Sequence, residues 1–140
     1  MSDIDNRAKG VLAGLACGDA LGRPVEFSAP HRIRNEHGRV TEMLANGTHR
    51  QPAGTITDDT ELALCIARSL DEQGSFEPPA VADNFIEWYD SDPFDIGGLT
   101  AATLRRLASD GDWQQIGVEE WRHLPEGSNA GNGSLMRCAP

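Results

Sequence analysis

The chain has 140 residues and a formal net charge of −10, with a single lysine, Lys9, among its twelve basic side chains. This length suits one domain, and the acidic balance argues against non-specific binding to nucleic acid, which requires cations that displace counterions from phosphates. No apolar run approaches the ~20 residues of a membrane span, and no signal-peptide pattern begins the chain. The odd number of cysteines, which is three, favours a reducing compartment. We therefore expect a cytoplasmic protein with neither nucleic acid nor membrane as a partner.

The first predicted helix covers residues 3–21, with Ser2 as its cap and apolar residues at helical spacing. Gly10, Gly14 and Gly18 fall four apart and so share one side of this helix. Each glycine weakens an isolated helix by roughly 1 kcal/mol relative to alanine. The compensating benefit would be the close approach of another helix, which predicts that this helix lies at the centre of the fold. Cys17 and Cys65 lie among apolar residues and are expected to be buried thiols.

The remaining pattern predicts helix after helix, interrupted by one irregular stretch at 39–54 that contains Asn-Gly and Pro-Ala-Gly turn signals. Capping residues, glycine stops and apolar periodicity predict five further helices, at residues 28–37, 58–73, 78–89, 98–109 and 112–124. No clean strand pair, internal repeat or low-complexity tract is present. The predicted fold class is all-α.

The most informative motif is the start of the third helix, where the turn at Gly54 is followed by Thr57, Asp58 and Asp59. Adjacent carboxylates repel each other, and the N–H groups and dipole at a helix N-terminus offset part of that charge. A bound hard cation would offset the rest, because Mg²⁺ takes carboxylate, hydroxyl and water oxygens. The alternative is that Thr57 caps the helix and the two aspartates simply occupy its first turn.

Three other stretches carry candidate chemistry. Asp19 ends the glycine-faced helix, as a structural cap or a paired acid, and Glu26 follows as either an acid–base group or a plain surface glutamate. Asp95 precedes two glycines and a helix, where it is either an N-cap or a site residue. The glycine-spaced loop at 128–134 can form an anion-binding nest from successive N–H groups, with Ser134 and Arg137 as further donors, or an ordinary turn.

Taken together, these stretches resemble the ADP-ribosylglycohydrolase family, which includes the dinitrogenase-reductase-activating glycohydrolases. Any one stretch is weak evidence, whereas the ordered set is highly specific and spans nearly the whole chain. The matching pieces are G-L-A-C-G-D-A-L-G at 14–22, P-V-E-F at 24–27, G-T-I-T-D-D-T at 54–60, D-I-G at 95–97 and G-N-G-S-L-M-R-C-A-P at 131–140.

This resemblance implies a compact multi-helical bundle that holds two Mg²⁺ ions, or Mn²⁺ in some members, in a cleft. The implied reaction is hydrolysis of the glycosidic bond that links ADP-ribose to a protein side chain or a small acceptor. It also implies roles for eight residues. Thr57, Asp58 and Asp59 would be metal ligands, and Glu26 would lie beside the metals and the scissile bond. Asp95 would contact the substrate ribose, and Asn132, Gly133 and Ser134 would bind the phosphates.

The family's second acidic motif, of the D-x-D-T type, lies in the later half of its members and has no match in residues 1–140. We therefore expect these residues to be the N-terminal part of a single truncated domain, with hydrolysis impaired. The implied partners are an ADP-ribosylated protein or ADP-ribose conjugate, together with a complementary C-terminal half or a second copy. The alternative is a non-catalytic ADP-ribose or nucleotide-binding module, or a remnant.

Overall fold

The computed structural model describes residues 3–110 and 112–140, and within those ranges the chain forms helices and no strand. The predicted all-α class is confirmed, whereas the predicted cap Ser2 lies outside the described residues. A single 3₁₀ turn, Arg23–Val25, follows the first helix. The helices are α1 Asp3–Gly22, α2 Pro30–His37, α3 Asp58–Gln73, α4 Pro78–Asp90, α5 Gly98–Asp110, α6 Ile116–His123 and α7 Gly133–Met136.

Helix α3 matches its predicted bounds because both ends carry strong local signals. Thr57 is the N-cap and accepts the Asp59 N–H, while Gly74 ends the helix in the left-handed conformation with φ 71°. Leu62 and Ala63 are fully buried where α3 packs against α1 and α4. Trp88 on α4 also donates its indole N–H to Glu61 at 2.6 Å. Helix α3 is thus the element around which the neighbouring helices assemble.

Helix α1 does not lie at the centre, and that prediction is wrong. It packs against α3, and Ala20 near its C-terminus is its buried residue. A Cβ atom added at Gly10, Gly14 or Gly18 would meet nothing within 4 Å. Cys17 is exposed, contrary to expectation, whereas Cys65 is buried as expected. The end of α1 that carries Asp19 is therefore the part that is fixed to the rest of the fold.

A second apolar core joins α5 to α6. Leu104 and Leu107 on α5 and Ile116 on α6 are buried there, and half-buried side chains of α4, including Phe85 and Trp88, pack against them. Arg106 donates to Glu119 at 2.8 Å and to Glu120 at 2.9 Å, which ties the same two helices at the surface. None of the helices in the described ranges is long and apolar enough to cross a membrane.

The irregular segment 39–54 folds around one side chain, the buried guanidinium of Arg23. Its nitrogens donate to backbone carbonyls at distances of 2.9–3.5 Å. The accepting carbonyls belong to Leu44, Asn46, Gln51, Pro52 and Thr55. Because a loop without strands or helices must still satisfy its backbone acceptors, Arg23 gives this segment a defined shape.

Gly47 closes this loop against the turn that follows α1. Its φ is +68°, and a Cβ atom there would lie 2.3 Å from the Pro24 carbonyl oxygen. We expect Gly47→Ala to destabilise the protein by about 3 kcal/mol, since it adds a backbone overlap to the ~1–2 kcal/mol cost of the left-handed conformation. Urea unfolding would measure the change. Gly74→Ala is the matched control, because Gly74 has a similar φ with open space around it, and an equal effect of the two variants would contradict the overlap argument.

Candidate active site

An open cleft of about 1060 Å³ collects most of the predicted site residues. It runs between the start of α3, the segment before α5 and the loop before α7. Seven of the eight predicted residues line it, namely Glu26, Asp58, Asp59, Asp95, Asn132, Gly133 and Ser134. Thr57 is buried beside the cleft and does not line it. Segments more than one hundred residues apart in sequence therefore converge on one concave surface.

The two aspartates of α3 carry an unfavourable charge in this cleft. Burial is the main cause that raises the pKa of Asp58 from 3.8 to about 6, followed by repulsion from the Asp95 carboxylate. The Gly97 N–H, which donates to Asp58 at 3.3 Å, opposes that rise. The pKa of Asp59 is also raised, first by burial and then by Asp19 and Glu26. This cleft therefore favours a bound cation electrostatically.

Thr57 and Asp19 fix the start of α3 from behind. The Asp19 carboxylate accepts the Thr57 N–H at 2.8 Å, the Thr57 hydroxyl at 2.9 Å and the Thr60 hydroxyl at 2.6 Å. The Thr57 oxygen also accepts the Asp59 N–H at 3.3 Å, which leaves it one lone pair. The capping interpretation of Thr57 is thus confirmed, and its role as a metal ligand stays a prediction.

Asp19 should be essential to this arrangement. We expect Asp19→Asn to cost about 2–3 kcal/mol of stability, because an amide presents an N–H₂ group to donors that need an acceptor. Asp83→Asn on the exposed side of α4 is the control and should change stability by less than about 0.5 kcal/mol. Chemical denaturation would measure both. A loss at Asp19 no larger than the control's would show that these three hydrogen bonds do not hold α3 in place.

The carboxylates of Glu26 and Asp95 both lie close to the same atom, Nε2 of His49. His49 Nε2 lies 3.0 Å from Glu26 Oε2 and 3.5 Å from Asp95 Oδ2. One ligand atom from each of these three residues lies within 4.8 Å of the other two, so the group could hold a metal ion. An imidazole suits Zn²⁺ better than Mg²⁺. The carboxylates of Asp58 and Asp59, in contrast, supply only hard oxygen atoms.

The turn that presents Glu26 adopts an uncommon conformation. Phe27, the next residue, has φ 59° and a side chain that is 83% exposed at the cleft. A bulky residue in the left-handed region costs energy, and such residues cluster at functional sites.

Asp95 is not an N-cap, because α5 begins three residues later at Gly98. Its pKa is raised chiefly by burial, while His49 opposes the rise and Glu26 adds to it.

The loop before α7 is held by Arg137. Its guanidinium donates to the Gly133 carbonyl and, at 3.1 Å, to the Thr100 hydroxyl, and it lies 5.3 Å from the centre of the Phe85 ring. Burial lowers the pKa of Arg137, and the nearby Asp58 and Asp59 carboxylates oppose that shift. Arg137 thus fixes the loop and places a positive charge near the two aspartates.

Sequence reasoning missed His49 and underrated Arg137. His49 stands in an irregular loop with no motif around it, so its partners become apparent only in three dimensions. Arg137 was expected to be a further anion donor, but the described contacts connect it to the protein itself. Its position four residues after Gly133, within one helical turn, is the signal that could have indicated this contact.

Comparison with known proteins identifies the family of this chain. The model of the ADP-ribosylglycohydrolase family matches residues 1–140. The chain belongs to the ADP-ribosylglycohydrolase family. An ADP-ribosyl-[dinitrogen reductase] glycohydrolase of Rhodospirillum rubrum is 36% identical over 137 residues, which are 98% of this chain and 44% of that protein. ADP-ribosylarginine hydrolase Tri1 of Pseudomonas putida (strain GB-1) is 40% identical over 142 residues, covering 96% of this chain and 35% of that protein.

A solved structure of this family has the same fold. It belongs to an ADP-ribosylglycohydrolase-related protein complex and superposes with a TM-score of 0.70 at 40% identity. The match covers 96% of this chain and 41% of that one. The chain thus spans less than half the length of the family relatives described here. The resemblance drawn from the motifs is confirmed at the level of family and fold.

Proposed function

We propose that the full-length protein hydrolyses the bond between ADP-ribose and an acceptor side chain, with Mg²⁺ as cofactor. The observation that carries this proposal is the convergence of Glu26, Asp58, Asp59 and Asp95 on one cleft with the loop 131–134. The names of the Rhodospirillum and Pseudomonas relatives support an ADP-ribosylated protein, and arginine in particular, as the acceptor to test first. Residues 1–140 would be the N-terminal part of a single catalytic domain, and would be less active alone.

The donor set fits a hard divalent cation. Asp58 and Asp59 would hold it through carboxylate oxygens, with the free lone pair of Thr57 as a third donor, and Mn²⁺ would suit the same atoms. A pair of such ions, when bound, would orient ribose hydroxyls and a water molecule. The raised pKa of Asp58, to about 6, supports this role, because buried neighbouring carboxylates gain most from a positive counter-charge.

The chain's other residues would act on the substrate directly. Cleavage of a ribosyl bond develops positive charge at the anomeric carbon, and the carboxylates of Glu26 and Asp95 would stabilise that charge. Glu26 lines the cleft with a partly exposed side chain and would also orient or deprotonate the attacking water. The backbone N–H groups of Asn132, Gly133 and Ser134, together with the side chains of Asn132 and Ser134, would bind the phosphates.

The test is release of free ADP-ribose from an ADP-ribosylarginine peptide by full-length protein, with Mg²⁺ and with EDTA. Release that requires the metal is expected. Isolated residues 1–140 would be assayed in parallel and should release less. Calorimetric binding of ADP-ribose without release from any acceptor would overturn the hydrolase proposal and favour a non-catalytic binding module.

A further inference from the structure

His49 connects two acidic side chains of the cleft, Glu26 and Asp95, whose carboxylates lie close together. Its Nε2 atom is 3.0 Å from Glu26 and 3.5 Å from Asp95, and its side chain is only 14% exposed. The two carboxylates come from different segments, one after the 3₁₀ turn and one before α5. They line the cleft, whereas His49 does not. The imidazole is therefore placed to act on the carboxylates and not on a substrate.

Two aromatic rings, those of Phe27 and Phe94, lie near the ring of His49. The edge of the ring meets Phe94, with centroids 5.8 Å apart and planes at 65°, and Phe27 lies 6.4 Å away. Such tilted aromatic contacts restrict the ring without using its nitrogen atoms. Nε2 thus remains available to the two carboxylates.

The backbone around His49 is fixed as well. The Thr48 hydroxyl donates to the Glu26 carbonyl at 2.6 Å, and the Asn46 N–H donates to the Gln51 carbonyl at 2.7 Å across the turn. The guanidinium of Arg23 holds the carbonyls of Asn46 and Gln51 on either side of the turn. The loop therefore delivers the imidazole to Glu26 in a position that is set before any substrate binds.

We propose that His49 is a positioning residue for Glu26. An N–H group on Nε2 donates to the Glu26 carboxylate and offsets its repulsion from Asp95, so that Glu26 stays directed at the cleft. Without this donor, two carboxylates at such close range repel each other, and Glu26 turns toward solvent. This inference rests on the proposed hydrolase function for its kinetic consequence, but the hydrogen bond itself does not depend on it.

The kinetic test compares His49→Phe with His49→Gln in the full-length protein. Phenylalanine keeps the ring and removes the donor, so kcat for ADP-ribose release should fall about 10- to 100-fold while KM changes little. The side-chain amide of glutamine reaches roughly where Nε2 lies, so His49→Gln should recover most of that loss. His31→Phe, on the exposed surface of α2, is the matched control. Equal losses for Phe and Gln, or an unchanged kcat for His49→Phe, would overturn the proposal.

A double-mutant cycle identifies the partner. In a Glu26→Gln background, a further His49→Phe change should lower kcat by less than about 2-fold, since neighbouring residues that act through one another are non-additive. Additive losses would overturn the proposal.

Calorimetric titration with Mn²⁺ tests whether Glu26, His49 and Asp95 bind a metal ion instead. His49→Phe should keep the affinity within about 3-fold, and a larger loss would assign His49 to a metal site instead.

A measurement that needs no turnover separates the two proposals. Long-range ¹H–¹⁵N spectra of the imidazole should show a proton on Nε2, with a resonance that shifts in Glu26→Ala and not in Glu36→Ala, a control on α2. If the wild-type protein releases no ADP-ribose but keeps this signature, the hydrolase function fails and the hydrogen bond stands. If release occurs and the resonance ignores Glu26→Ala, the His49 proposal fails alone.

Discussion

Asp58→Asn is expected to abolish metal-dependent release of ADP-ribose, by about a thousand-fold or more, and to stabilise the metal-free protein at neutral pH. The first effect follows from the proposed role of Asp58 as a cation ligand, because an amide supplies no negative charge. The second follows from burial, which raises the pKa of this carboxyl from 3.8 to about 6. One substitution should therefore separate function from stability.

The pH dependence has a definite sign. A carboxyl whose pKa is higher in the folded than in the unfolded protein favours folding when protonated, so its cost is absent below about pH 4 and complete above about pH 6. A shift of this size corresponds to at most about 3 kcal/mol. Asparagine carries no such cost but loses roughly 0.5 kcal/mol of helix-dipole interaction. The net gain should thus be about 1–2 kcal/mol at pH 7 and nil at pH 4.

Denaturant unfolding in EDTA at the two pH values would measure this difference, beside the release assay. Adding Mg²⁺ should reverse the order of stability, since a ligand that binds the folded state alone stabilises the wild type by mass action. Asp71→Asn, at an exposed position of α3, should change neither property. Normal metal-dependent hydrolysis by Asp58→Asn would refute the ligand assignment.

Arg23→Met should cause the largest loss of stability, about 4 kcal/mol or more. Methionine fills part of the same space but leaves the carbonyls that Arg23 now satisfies without a donor. Such a loss is a large fraction of the 5–15 kcal/mol that usually stabilises a domain. Arg23→Lys should lie in between, because an ammonium group has fewer donors and no planar fork.

Urea unfolding would quantify these variants, and hydrogen exchange would locate the effect. Exchange should accelerate first in residues 44–55, the segment that Arg23 holds. Arg105→Met, exposed on α5, is the control for loss of a charge alone. A cost below about 1 kcal/mol for Arg23→Met would mean that the loop keeps its shape by other contacts.

Local signals determined how much of the fold could be predicted. Helix α3 was predicted at its observed bounds, because a threonine cap and a glycine stop are properties of the immediate sequence. The last predicted helix, 112–124, shortens to Ile116–His123, where such signals are weak. The position of α1 was wrong for another reason. A row of glycines on one side of a helix indicates that another helix could pack closely there. It does not indicate whether any element of the fold does so.

The site was predicted where its residues form motifs. Five of the cleft residues belong to two short runs. Asp58 and Asp59 follow a threonine cap, and Asn132 to Ser134 lie in the glycine-spaced loop. Asp95 lies two residues before a glycine pair. His49 and Arg23 belong to no motif. The chain has four histidines and eleven arginines, and the residues next to these two do not distinguish them from the others. Their roles come from contacts with segments more than twenty residues away, which no periodicity encodes.

The three hydrogen bonds of Asp19 have a consequence for the beginning of the chain. They join residues 38 and 41 positions apart, so the last turn of α1 and the first turn of α3 must open together. Substitutions that destabilise α1, although most of that helix is exposed to solvent, would therefore also disturb Asp58 and Asp59 in the cleft. A helix that looks peripheral is in this way a structural support for the chemistry.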